Sequence, residues 1–338
     1  MQNEVEKKEE DYRKKKRRFL FIWFFFLTIF LSTITYAWFT SNRLVDLEFF
    51  DIHVETDGGL EISANAIDWK GEVTVNDLKN AYKTYPSSLN QVPGVMMPMS
   101  SGGGIDSNGY LTMFYGQAEY GGNSNYYLTT YRKVEERTTE ESNNGDYIAF
   151  DIFFKTTVSK TVYLSSDSFV RPKDGDSVGI ENSARIAFIR EGSVNSETNI
   201  TGAQNLKTGN EDSVIIWEPN YDVHTEHGVL NARKTYGIDT STTNASIINY
   251  DGVVGTVTSG ALVEIGDANA VNYPNLFSNV DVDIYTKSNN NENKELFTID
   301  VGITKVRIYM WLEGQDVDSE NQASHGDITY FLEFTLNP

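Results

Sequence analysis

Two short stretches hold the residue types from which a site could be built. His224-Thr-Glu-His227 sets two imidazoles three residues apart, a spacing that can bring two nitrogens to one metal ion. The stretch around residues 314–322, GQDVDSENQ, sets Asp316, Asp318 and Glu320 at alternate positions, and alternate carboxylates in a turn can offer oxygens to calcium. Neither stretch completes a known metal motif. HTEH lacks a surrounding helical period, and no HExxH occurs. The acidic stretch has Asn321 where a calcium loop needs glycine and Asp327 where it needs glutamate. Each also reads simply, as a polar loop and as an acidic hairpin turn. Calcium is thus the one cofactor the sequence raises.

The rest of the chain offers little chemistry. There are four histidines, at 53, 224, 227 and 325, and no cysteine, which removes disulfides and thiolate metal sites. The triple glycine at 102–104 lacks the strand-then-helix context that a phosphate cradle needs, and no nucleophile elbow is present. These observations point to a non-enzymatic protein.

The elements that would position such residues read as β-strands. YIAFDIFFKTT alternates at Ile148, Phe150, Ile152 and Phe154. RLVDLEFFDIHVET, TVYLSS, ARIAFI, VIIW, VDVDIYT, FTIDVGIT, VRIYMWL and ITYFLEFTL are short and rich in β-branched and aromatic residues. In the first of these the alternation slips around Phe49–Phe50, as at a bulge. Many short strands without intervening helices predict an all-β jelly roll or β-sandwich with long loop insertions. One short helix is expected at VNDLKNAYKTY. Three stretches read as loops: PSSLNQVPGVMMPMSSGGGIDSNG, EGSVNSETNITGAQNLKTGNED and SNNNENKE. YGQAEYGGNSNYYLTTY carries five tyrosines, either strand faces or a binding surface.

The N-terminus is of another kind. Of the 28 basic residues, eight lie within residues 1–18, and no charge occurs over the 24 positions from Phe19 to Asn42. Beyond residue 18 there remain 20 basic and 43 acidic side chains, a net charge of −23, which disfavours nucleic acid and anionic lipid surfaces. The uncharged run is long enough to span a bilayer, and the basic block orients it with the block in the cytoplasm. This divides the chain into a basic segment 1–18, a membrane helix or signal core 19–37, and an extracellular domain 38–338. Two fates of the run are open. It stays as a single-pass anchor, or it is removed by cleavage between Ala37 and Trp38, with Thr35 and Ala37 as the small residues before the cut.

TYAWFTSN at 35–42 resembles the signal region of proteins cut by the SipW-type signal peptidase of Gram-positive bacteria, whose clients form the TasA/camelysin group of biofilm-matrix fibre proteins. FDIHVETDGGLEISANA, GDYIAFDIFFKTT and ITYFLEFTLNP resemble that group's core strands in the same order, although about 90 residues before Gly145 exceed its spacing. The resemblance implies a jelly-roll fold and a secreted surface or matrix protein that self-associates into fibres. It also implies donor-strand exchange, with Trp38, Phe39, Leu44, Val45, Leu47, Phe49 and Phe50 in the exchanged strand. The alternative is an anchored ectodomain that binds a glycan or protein ligand.

Overall fold

The computed structural model describes residues 15–19, 21–25, 45–55, 59–120, 126–134, 146–173, 179–195, 198–210, 213–226, 228, 282–314, 316, 318–319 and 327–338. The chain divides into two compact units, Met1–Leu44 and Val45–Pro338. In the first, residues 15–19 and 21–25 are helical, and Phe19, Phe21, Ile22, Trp23, Phe24 and Phe25 are exposed. Among the described residues no helix is long and apolar enough to cross a membrane.

The second unit is all-β, as the alternation predicted. One sheet of seven strands holds β1 (Val45–Val54), β3 (Glu72–Thr74), β4 (Val95–Met96), β9 (Lys160–Leu164), β10 (Phe169–Pro172), β14 (Lys294–Ile299) and β16 (Asp327–Thr335). A second sheet of nine holds β2 (Glu61–Ser63), β5 (Pro98–Ile105), β6 (Leu111–Tyr120), β7 (Tyr126–Val134), β8 (Ile148–Thr156), β11 (Ala184–Val194), β12 (Val214–Glu218), β13 (Ile284–Tyr285) and β15 (Gly302–Glu313). The path of the first is β14-β9-β16-β1-β3, with β10 added on β16 and β4 on β1. The path of the second is β13-β12-β11-β15-β5-β6-β7, with β8 pairing β15 and β2 pairing β8.

The first strand pairs with the last in parallel, Asp46 beside Asp327 through to Val54 beside Phe334. The register slips between Leu47 and Phe49, one step before the expected bulge. β15 runs antiparallel to β11 along one side and to β8 along the other. At Gly302, where β15 begins, an added Cβ would lie 2.1 Å from the carbonyl oxygen of Val194, and φ is +106°, so only glycine fits.

The two sheets share one core. Ile52, Leu332 and Phe334 from the first meet Ile152, Phe188 and Ile308 from the second. Phe334 packs edge-on to Phe154 at 5.2 Å between ring centres and to Phe188 at 6.0 Å, and Phe297 meets Phe154 at 5.7 Å. The outer face of the second sheet is covered as well. β15 is buried at every residue from Gly302 to Glu313. Its cover includes α2 (Ile200–Gln204) and the chain around Tyr85 that follows a 3₁₀ turn Ala81–Lys83, while α1 (Val75–Asn80) packs beside β1 and β3 of the first sheet. α1 is the expected helix, capped by Thr74, whose hydroxyl accepts from the Asp77 amide while Asp77 accepts from the Thr74 amide.

That cover is fastened by a buried charge network. Asp151 of β8 accepts from Arg307 Nη1 at 2.8 Å and from the Tyr85 hydroxyl at 2.8 Å, with Lys305 Nζ at 3.3 Å. Burial opposes ionisation of Asp151, yet the two cations hold its carboxyl down at about 2. Lys305 also donates to Leu206 O at 3.0 Å, and Arg307 to Leu89 O at 3.1 Å, which pins both covering segments.

Two stretches expected to be loops differ from that reading. PSSLNQVPGVMMPMSSGGGIDSNG contains β4 and the eight-residue β5, and Met96 and Met99 are fully buried. EGSVNSETNITGAQNLKTGNED holds the end of β11 and α2. Glycine and serine density marks β5 as loop chemistry, but pairing to β15 and β6 overrides that preference. The tyrosine-rich stretch forms the β6–β7 hairpin, with Tyr120 opposite Tyr126.

Phe334 joins both sheets, so Phe334→Ala should cost about 3–5 kcal/mol of stability. Urea unfolding followed by tryptophan fluorescence reads this as a lowered midpoint at unchanged slope.

Candidate functional site

The two sequence stretches with candidate metal ligands meet in one place. Arg185 is the second residue of β11, and its side chain is buried. Its Nη2 lies 2.8 Å from Asp316 Oδ2 and 3.2 Å from Glu218 Oε1 at the end of β12, and its Nη1 donates to the carbonyls of Ala184 and Asn182. Asp316 sits just after β15, and its Oδ1 accepts from the amide of Asp318 at 2.9 Å. Asp318 Oδ1 accepts from the Thr225 amide at 2.9 Å and the Thr225 hydroxyl at 2.8 Å, and its Oδ2 faces His224 Nδ1 at 2.7 Å. His224 Nε2 is buried and has no hydrogen-bond partner among the described residues.

Local backbone makes the convergence possible. Alternate positions put Asp316 and Asp318 on one inward side of the turn. Gly179, at φ +94°, allows Thr225 to approach, since an added Cβ would lie 2.3 Å from Thr225 Cγ2.

The cluster sets three carboxylates, Glu218, Asp316 and Asp318, against one guanidinium and one imidazole. Burial pushes the Asp316 carboxyl up to about 6 against the pull of Arg185, and the Asp318 charge adds to the rise. For His224 burial lowers the proton affinity. The hydrogen bond to Asp318 and the charges of Asp316, Asp318 and Glu218 outweigh it, so the imidazole titrates above its ordinary value.

His224, Asp316 and Asp318 each offer a ligand atom, all within 4.8 Å of one another. Yet each carboxylate oxygen of Asp316 and Asp318 already accepts a hydrogen bond, and Arg185 supplies positive charge where an ion would. A divalent ion would therefore compete with Arg185 for the Asp316 carboxylate. The arrangement does better chemically as a buried ion network that ties the segment after β12 and the turn after β15 to the start of β11. Glu320 and His227 lie outside the described residues, as do Ala37, Trp38, Phe39 and Leu44. Val45, Leu47, Phe49 and Phe50 lie in β1, the last three paired within the chain to β16 and Val45 to β4. A second acidic group, Asp51, His53 and Glu72, lies on the first sheet with its side chains partly exposed.

The network supports one wall of a cleft of about 450 Å³. Asn182, Trp217 and Asn220 line it from the second sheet's side, with Phe169 and Arg171 of β10 opposite and Lys287 and Ser288 at the edge. Asn220 takes a left-handed φ of 56°, which asparagine tolerates, and its carboxamide donates to Val170 O across the cleft at 2.8 Å. Trp217 Nε1 donates to the Thr286 hydroxyl at 2.8 Å. Sequence reading found the acidic stretch and His224 but missed Arg185, Glu218 and the cleft. The arginine inside the apolar strand ARIAFI is the signal that was available, because a charge on a core strand needs a partner.

The chain matches no family model, no curated protein and no solved structure.

Folding raises the affinity of His224 for its proton, so the native state binds more protons than the unfolded chain from about pH 6.5 up to the native value. Stability is full below that window and falls as pH rises through it. Burial also lifts Glu191 to about 7, with the same sign. The thermal midpoint should therefore fall between pH 6 and 8, and His224→Gln should flatten part of that slope. An identical slope in the variant would remove His224 from the account.

Proposed function

We propose that the chain is an exported, non-enzymatic protein of a bacterial surface or extracellular matrix, with a jelly-roll domain that self-associates through its N-terminal strand. The basic block and the uncharged run Phe19–Asn42 support insertion into a membrane during export. The resemblance of TYAWFTSN to SipW-type signals supports release by a cut after Ala37.

The position of β1 carries the assembly reading. It is the first strand of the domain, yet it lies inside its sheet, between β16 on one side and β3 and β4 on the other. It places Ile52 and Val54 in the core. A terminal strand in that position can leave without threading the chain, and its departure exposes an apolar slot with unpaired backbone on both sides. The β1 of a second copy matches that slot residue for residue. An attached membrane helix would hinder such an exchange, so the cut would act as the switch.

The test uses the chain processed after Ala37 and electron microscopy. Deleting residues 38–50 should abolish filaments. Because that deletion also weakens the fold, a second variant decides. His53→Cys with Glu333→Cys places a cysteine pair across β1 and β16, in a chain that has no other. Filaments should be absent when the pair is oxidised and return on reduction; filaments from the oxidised chain would overturn strand exchange.

A further inference from the structure

The cleft above the buried network has features of a ligand site that the assembly reading does not use. Its volume of about 450 Å³ lies within the range of small-molecule sites, about 300–1,000 Å³. Asn182 is 4% exposed, lines the cleft, and has no acceptor for its carboxamide Nδ2 among the described residues. Its main-chain carbonyl is held by Arg185, so the residue cannot turn away freely. A buried amide donor left unmet is costly in a folded protein, and a site built to hydrogen-bond a ligand carries that cost until the ligand arrives.

The lining says which chemistry would meet it. The Phe169 ring is enclosed between Phe331, with ring centres 5.4 Å apart, and the Arg171 guanidinium at 3.9 Å, so neither face is open. Trp217 is buried and bonded to Thr286. A flat aromatic ligand therefore finds no platform. What the cleft presents is the hydroxyl group of Ser288, the Asn182 amide, and charges of both signs, with Arg171 and Lys287 set against Asp167 and Glu181. Among the described residues neither Arg171 nor Lys287 has an ion-pair partner, which leaves their N–H donors available. Two cations against two carboxylates give no net preference for an anion. Closely spaced donors and acceptors without a stacking surface suit a ligand whose groups both donate and accept.

We propose that this cleft binds a neutral saccharide of mono- to disaccharide size, with the Asn182 amide donating to a ring or hydroxyl oxygen. The Ser288 hydroxyl and the Lys287 ammonium make further bonds at the rim. Such sugars are present outside a cell both as free oligosaccharides and as the ends of polymers. The inference rests on export of the domain and holds whether or not the chain forms filaments.

The full-length chain is held in a detergent without a sugar headgroup, because a glycosidic detergent would compete. Saturation-transfer NMR and calorimetry are run with neutral di- and trisaccharides of gluco, galacto, manno and N-acetylglucosamine type. Digalacturonate and inorganic phosphate serve as anionic probes, and a purified neutral polysaccharide tests the polymer source. At least one neutral sugar should bind saturably, and Asn182→Leu should weaken it about tenfold. Since Asn182→Leu reaches into the wall, Ser288→Ala and Lys287→Met are measured beside it and should each weaken binding several-fold at an unchanged thermal midpoint. Binding of the polymer beside a free oligosaccharide would show that polymer ends also enter the cleft, whereas binding of the polymer alone would count against the proposal. Failure of every neutral sugar, binding of the anions alone, or affinities that all three variants leave unchanged would each overturn the proposal. Filament formation is scored separately, so its failure does not bear on this result.

Discussion

β15 has no solvent face, and the rest of the domain is arranged around that fact. One side of the strand, with Val306, Ile308, Met310 and Leu312, fills the core between the sheets. The other side carries Lys305, Arg307 and Glu313 into burial as well. A buried charge is tolerable only when paired and hydrogen-bonded. Asp151 on the neighbouring strand therefore becomes a structural necessity, and the segments 81–92 and 199–210 gain fixed attachment points from the same two cations. The cover on the second sheet is held by the need to satisfy Lys305 and Arg307 as well as by apolar contact among Tyr85, Phe153, Ala203 and Ile303.

The same logic recurs one strand away. Arg185 on β11 is a second buried cation, satisfied by Asp316 and Glu218, and it draws in Asp318 and His224. Both networks stand on the long central strands. Each fastens irregular chain to regular sheet. The cleft exists because the second network fixes the segment after β12 while Asn220 braces it against β10.

The sequence made the strands legible because alternation is a local signal. Ile148, Phe150, Ile152 and Phe154 all point into the shared core, as their spacing required. What local pattern could not show is burial of the intervening residues. Ala149, Asp151 and Phe153 are also buried, because remote segments cover them. For the same reason Lys305 and Arg307 of β15 are buried as well. The β5 strand was hidden by its glycines and serines, and only pairing with β15 and β6 makes it a strand. At the site, His224 and the aspartates stood out by residue type, but nothing along the chain says that positions about 90 apart touch. The acidic stretch looked like a place for calcium because both aspartates turn inward. The structure gives them an arginine and a histidine as partners.

The parallel pairing of β1 with β16 has a mechanical meaning. The chain enters β1 from Leu44 at the end where β16 begins, and it leaves toward Pro338 at the opposite end. A pull between those two points acts along the strands, not across them. Eight registered residue pairs then bear the load together, in shear, instead of parting one by one like a zip. A domain tethered at its first strand and gripped at its last would resist extension through the seam that closes its sheet.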